Sequence, residues 1–134
     1  TEHQYHGTRD YSTFLSVPEA IRFMKENAWS DVSRSCHELG VFAREQVAAL
    51  TGVPQTTPND VTWFSQMAAL HIPPCNTRKL KQRLLDEYSI EVPTTGWNGQ
   101  LYVRLSVQGY NTRGEVETLI RALAALLPEC AVEP

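Results

Sequence analysis

Trp97-Asn98-Gly99-Gln100-Leu101-Tyr102-Val103-Arg104-Leu105-Ser106-Val107 is the stretch that decides the fold. Asn-Gly between two extended runs is the strongest short-range hairpin signal, because both central residues of a tight hairpin turn need positive φ. The run after it alternates. Leu101, Val103, Leu105 and Val107 share one face, and Tyr102, Arg104 and Ser106 share the other, as the two-residue period of a strand requires. One face is therefore predicted to meet a core and the other to stand away from it.

Working outward, Ile90 to Val92 reads as a short strand stopped by Pro93. On the other side, Thr112-Arg113-Gly114-Glu115 has the capping-box pattern. It opens a helix whose buried stripe is Val116, Leu119, Ile120, Leu123, Leu126 and Leu127, with Pro128 as the stop. Further upstream, Asn76 or Thr77 opens a helix with Leu80, Leu84 and Tyr88 on one face, after Pro73-Pro74 ends a strand over 61–70. Trp29, Val32, Cys36, Leu39, Ala43, Val47 and Leu50 give the cleanest helical period. Gly52 suits the position just past that helix, whereas Gly40 inside it weakens the pattern. Ser16-Val17-Pro18-Glu19 reads as a capped helix start, followed by a stripe of Val17, Ala20, Ile21 and Met24.

The order of elements is two helices, a strand, a helix, a hairpin and a final helix. It implies an α+β fold: a two-layer sandwich with a small, mainly antiparallel sheet and helices packed on one face. The length of 134 residues fits one core, and 42% apolar residues are enough to fill it. A net charge of −3 argues against a nucleic-acid partner. No apolar run is long enough to span a bilayer, and Thr1 to Asp10 has no apolar signal-peptide segment. The chain opens on Thr1 rather than Met, so either the Met is removed or the chain is a piece of a longer one. Three cysteines without a C-x-x-C spacing fit a reducing, cytoplasmic setting.

Gly7-Thr8-Arg9-Asp10-Tyr11-Ser12, Ile90-Glu91-Val92-Pro93 and the run from Arg104 through Ser106, Tyr110 and Asn111 to Thr112 together resemble the class V aminotransferase family of pyridoxal-phosphate (PLP) enzymes. The resemblance is to its isopenicillin N epimerase-like branch, which cysteine-desulfhydrase-like proteins share. It covers nearly the whole chain, in order. It implies that residues 16–134 are the small C-terminal domain (the small domain of PLP fold type I) and that residues 1–15 lead in from a missing large domain. The large domain would carry the Schiff-base lysine. It also implies a homodimer and an amino-acid substrate handled by epimerisation, racemisation or C–S cleavage, through a carbanion that PLP stabilises.

On the strand pattern alone, Arg104 is an arginine on a solvent face. In its R-x-S-x-x-x-Y-N-T context the resemblance makes it the fork that binds the substrate α-carboxylate, a task suited to two parallel N–H···O bonds. Gly7 and Thr8 are implied to reach the partner subunit's PLP phosphate, with Arg9 as a weaker addition. Asn111 and Thr112 read as structural, fixing the turn and capping the helix. The isolated chain is expected to be inactive, because Lys25, Lys79 and Lys81 all sit among polar neighbours on predicted helices.

His3 and His6 have no third ligand nearby and read as surface residues; His37 and His71 read as structural. Relatives that transfer sulfur use a mobile-loop cysteine in the small domain. The matching stretch, Pro93 to Gln100, contains none, which points toward lyase or epimerase chemistry. Cys75 precedes a helix, where a thiol pKa can fall, but it lies outside that stretch. The competing reading is a free-standing α+β binding or assembly module that kept the fold without catalysis.

Overall fold

Asn98 and Gly99 carry φ angles of 49° and 74°, so the hairpin turn has the positive-φ pair that Asn-Gly accommodates. These values come from a computed structural model of the chain that describes residues 10–132. The turn joins β2 (Thr94–Trp97) to β3 (Gln100–Ser106). β1 (Met67–Ile72) lies on the other side of β3, which makes an antiparallel sheet of order β1-β3-β2.

Among the described residues five helices accompany it: α1 (Ser12–Leu15), α2 (Val17–Glu26), α3 (Trp29–Thr51), α4 (Thr77–Tyr88) and α5 (Arg113–Cys130). The described residues form two units, one up to Asp31 and one from Val32 onward. In the second unit, Ala68, Leu70 and Ile72 of β1 pair with Leu105, Val103 and Leu101 of β3. This sheet face joins Val47 of α3, Leu80 and Leu84 of α4, and Leu119, Leu123 and Leu126 of α5 in one core. The α+β fold, with helices packed on a small antiparallel sheet, is as the sequence implies. No helix among the described residues is long and apolar enough to cross a membrane.

α3 runs as its period indicates and ends at Gly52, whose φ is 70°. Gly40 does not interrupt the helix; it is buried, and a Cβ there would make ordinary contacts, 3.4 Å from Phe64 and 3.6 Å from Ala68. α4 is capped by Asn76, whose Oδ1 accepts the Lys79 N–H at 3.0 Å. α5 opens on the complete capping box of Thr112 and Glu115. The Thr112 N–H, and then its hydroxyl, hold the Glu115 carboxyl below its ordinary range.

Thr112→Ala is expected to cost about 1 kcal/mol, a typical cap loss, read as a lower urea midpoint at pH 7. A depressed folded pKa contributes stability above the unfolded value, which is lost as pH falls through the folded one. The gap between variant and parent should therefore narrow in acid.

Four boundaries differ from the sequence reading, each because of a specific hydrogen-bond partner. The strand predicted over 61–70 begins only at Met67. Asp60 Oδ1 accepts the Thr62 N–H at 2.8 Å and its hydroxyl at 2.6 Å. This side-chain turn outcompetes the extended preference of Val61, Thr62 and Trp63. Ile90 to Val92 is not a strand, because the Ile90 N–H bonds Leu84 O at 2.9 Å and Ser89 adopts φ 55°. That backbone is spent on closing α4.

Pro128 does not end α5, which continues to Cys130. Tertiary bonds hold the last turn: the Asn76 N–H reaches Cys130 O at 2.7 Å, and Lys79 Nζ reaches Glu129 O at 2.9 Å. Ser16 does not cap α2 through its side chain. α1 precedes it directly, and the Ser16 hydroxyl donates back to Thr13 O at 2.8 Å. The predicted stripe of Val17, Ile21 and Met24 is exposed.

Candidate functional site

Arg104 lies on the sheet face turned away from the helices. The register sets it opposite Ala69, with His71 opposite Tyr102 and Met67 opposite Ser106. Alternate residues share a face, so Ala69, His71, Tyr102 and Arg104 stand together. Arg104 and Ala69 are exposed, while His71 and Tyr102 are buried. The Arg104 N–H bonds Pro93 O at 2.9 Å. Beyond that bond β2 no longer accompanies β3, and a cleft of about 430 Å³ opens, lined by Arg104, Tyr88, Glu91, Asn111, Val116 and Leu119 among others.

The turn after β3 is tied down from both sides. Asn111 Oδ1 accepts the Gln108 N–H at 2.9 Å, and the Asn111 N–H returns to Gln108 O at 2.8 Å. Gln66 Nε2 donates to Gln108 Oε1 at 2.9 Å. A Cβ on Gly109 would come within 2.9 Å of Val32 Cγ1, so a larger residue there would push the turn off α3. The structural reading of Asn111 and Thr112 thus acquires its bonds.

Gly7, Thr8 and Arg9 lie outside the described residues, as do His3 and His6. Lys25, Lys79 and Lys81 are exposed, and none has the desolvated surroundings that suit covalent attachment of a cofactor. Pro93 to Gln100 is occupied by β2 and a two-residue turn that pairs it with β3. Cys75 is buried; burial pushes its thiol pKa up, and Cys130 beside it adds to the rise. This reverses the lowering that a helix N-terminus suggests. Among the described residues no group of three or more His, Cys, Asp or Glu could hold a metal ion.

Sequence patterns did not reveal Arg44. It reads as one more polar residue of α3, yet it is 2% exposed. Nη1 donates to the Thr57 hydroxyl at 3.0 Å and Nη2 to Thr57 O at 2.5 Å. Its guanidinium lies 4.8 Å from the Phe64 ring centre, and His37 packs on that ring at 4.6 Å. Burial lowers the Arg44 pKa. The residues that reveal this anchor, Thr57 and Phe64, are 13 and 20 positions away in a segment without periodicity.

No family model matches the chain. In fold it is similar to 8-amino-7-oxononanoate synthase from Francisella tularensis, with a TM-score of 0.55 and 15% identity over 72% of this chain and 28% of that one. With the sheet order and helix cover, this likeness is one of fold: a small antiparallel sheet with helices packed against it. By sequence the chain is similar to isopenicillin N epimerases, and with the fold this supports a small C-terminal domain of a pyridoxal-phosphate enzyme. The chain is 35% identical over 121 residues to isopenicillin N epimerase of Amycolatopsis lactamdurans, and 30% identical over 124 residues to that of Streptomyces clavuligerus. Those matches take in 90% and 92% of this chain but only 30% and 31% of the relatives' length.

Proposed function

We propose that this chain is the part of a longer PLP enzyme that grips the substrate α-carboxylate through Arg104, for epimerisation, racemisation or C–S cleavage of an amino acid. The observation that carries the reading is Arg104 itself: a guanidinium on an open sheet face, its backbone tied to Pro93 and the following turn locked by Asn111. PLP, when bound, supplies the electron sink for the carbanion. The residues of this chain bind and orient. Holding one carboxylate by a planar fork fixes which bond of the substrate faces the cofactor.

In this reading the cofactor lysine lies in the rest of the polypeptide, residues 1–15 lead in from that part, and Gly7 with Thr8 meets the cofactor phosphate of a partner subunit. The exposed apolar side chains of Tyr11, Phe14, Leu15, Val17, Ile21 and Phe23 support a missing covering surface, since contiguous exposed apolar patches mark interaction sites.

The test is spectroscopic. The protein expressed from its full reading frame should bind PLP stoichiometrically with a visible absorption band, and the 134-residue chain should show none. Borohydride reduction that fixed one equivalent of cofactor onto Lys25, Lys79 or Lys81 of the isolated chain would overturn the assignment of roles.

A further inference from the structure

His71 has features that a merely space-filling histidine does not need. Its ring stacks on Tyr102, with centres 5.1 Å apart and planes 26° from parallel, and the Tyr102 hydroxyl is itself engaged, donating to Gln100 Oε1 at 2.5 Å. Nδ1 lies 2.8 Å from Pro54 O. A carbonyl only accepts, so Nδ1 carries the proton, and in the neutral ring Nε2 is a lone-pair acceptor. The hydrogen bonds of the described residues leave Nε2 uncommitted.

The loop that sets this tautomer is anchored in turn. Gln55 Oε1 accepts the His71 N–H at 3.1 Å, and the buried Arg44 holds Thr57. Diagonal neighbours on one face of an antiparallel pair stand roughly 7–8 Å apart, within reach of long side chains. Arg104 and His71 are such neighbours. The exposed Ala69, opposite Arg104, is the low floor between them.

We infer that His71 is a second ligand contact beside Arg104. Arg104 takes a carboxylate, and His71 Nε2 accepts a hydrogen bond from a donor on the same molecule. The inference rests on the Arg104 reading and deepens it. The substrate class becomes amino acids whose side chain carries a hydroxyl, thiol or amide N–H near the α-carbon. The arrangement assigns His71 to specificity, with Arg44 and the loop it anchors as positioning elements.

The experiment is an NMR titration of the 134-residue chain with 3-hydroxypropionate and with propionate, which differ by one hydroxyl. The hydroxy acid should bind about two- to tenfold more tightly, the range one net hydrogen bond supplies. The His71 Nε2 signal should move with the hydroxy acid and not with propionate. His71→Phe keeps the stack on Tyr102 and removes both nitrogens, so it should equalise the two ligands.

Equal affinities in the parent chain, an unmoved Nε2 signal, or a preference that survives His71→Phe would each overturn the inference. The Nε2 signal needs no variant, so it stands even if His71→Phe folds poorly. Arg104→Gln should weaken both acids alike. If it weakens neither while the hydroxyl preference persists, the Arg104 reading fails and the His71 contact stands.

Discussion

Leu123→Ala is expected to remove about 2–5 kcal/mol of folding stability, the range for truncating a fully buried leucine. Leu123 is 0% exposed on α5 and belongs to the core that joins the sheet to α3, α4 and α5. Truncation loses both the transfer free energy of the side chain and the contacts around the space left behind. A domain of this size has roughly 5–15 kcal/mol in total, so the variant keeps little margin at 37 °C. In urea the midpoint should fall while the slope stays unchanged. Leu85→Ala on α4, where the leucine is 47% exposed, should stay within about 0.5 kcal/mol. Equal losses at the two positions would mean that α5 does not carry the core.

The same contrast explains what was legible in the sequence. The hairpin and the last helix were readable because their signals are local: Asn98-Gly99 supplies the turn, β3 alternates, and Thr112 with Glu115 closes the capping box. The class V resemblance drew on the run from Arg104 to Thr112 between them, together with residues 7–12 and 90–93. What sequence hid was competition for backbone bonds, partly local and partly tertiary. Asp60 draws Thr62 into a turn, the end of α4 takes the Ile90 N–H, and Asn76 with Lys79 carries α5 past Pro128. Arg104 was legible as a position on a face, but its surroundings were not. Tyr102 shares its face by strand alternation alone, but His71 is 33 positions from Arg104 in the chain, and only the β1–β3 register makes it a neighbour.

On the proposed reading of Arg104 as the carboxylate fork, Arg104→Ala in the full-length protein is expected to lower kcat/KM for amino acids by about 100- to 1,000-fold. The lower figure is what a misplacement of about 1 Å costs a reacting group, and losing a charge-assisted fork adds binding to that loss. Both constants should move: KM rises because the carboxylate loses its partner, and kcat falls because the bound substrate is no longer held in one orientation. Arg104→Lys should lie between the two, since lysine restores the charge but not the planar pair of donors.

The fold should be indifferent to either change. The Arg104 side chain is exposed, and its bond to Pro93 is made by the backbone, so urea midpoints should match the parent within about 0.5 kcal/mol. An amine that lacks the α-carboxylate offers the fork nothing, and its slow turnover should not respond to the substitution. Unchanged kinetics with amino acids, or an equal loss with the carboxylate-free amine, would take Arg104 out of the substrate site.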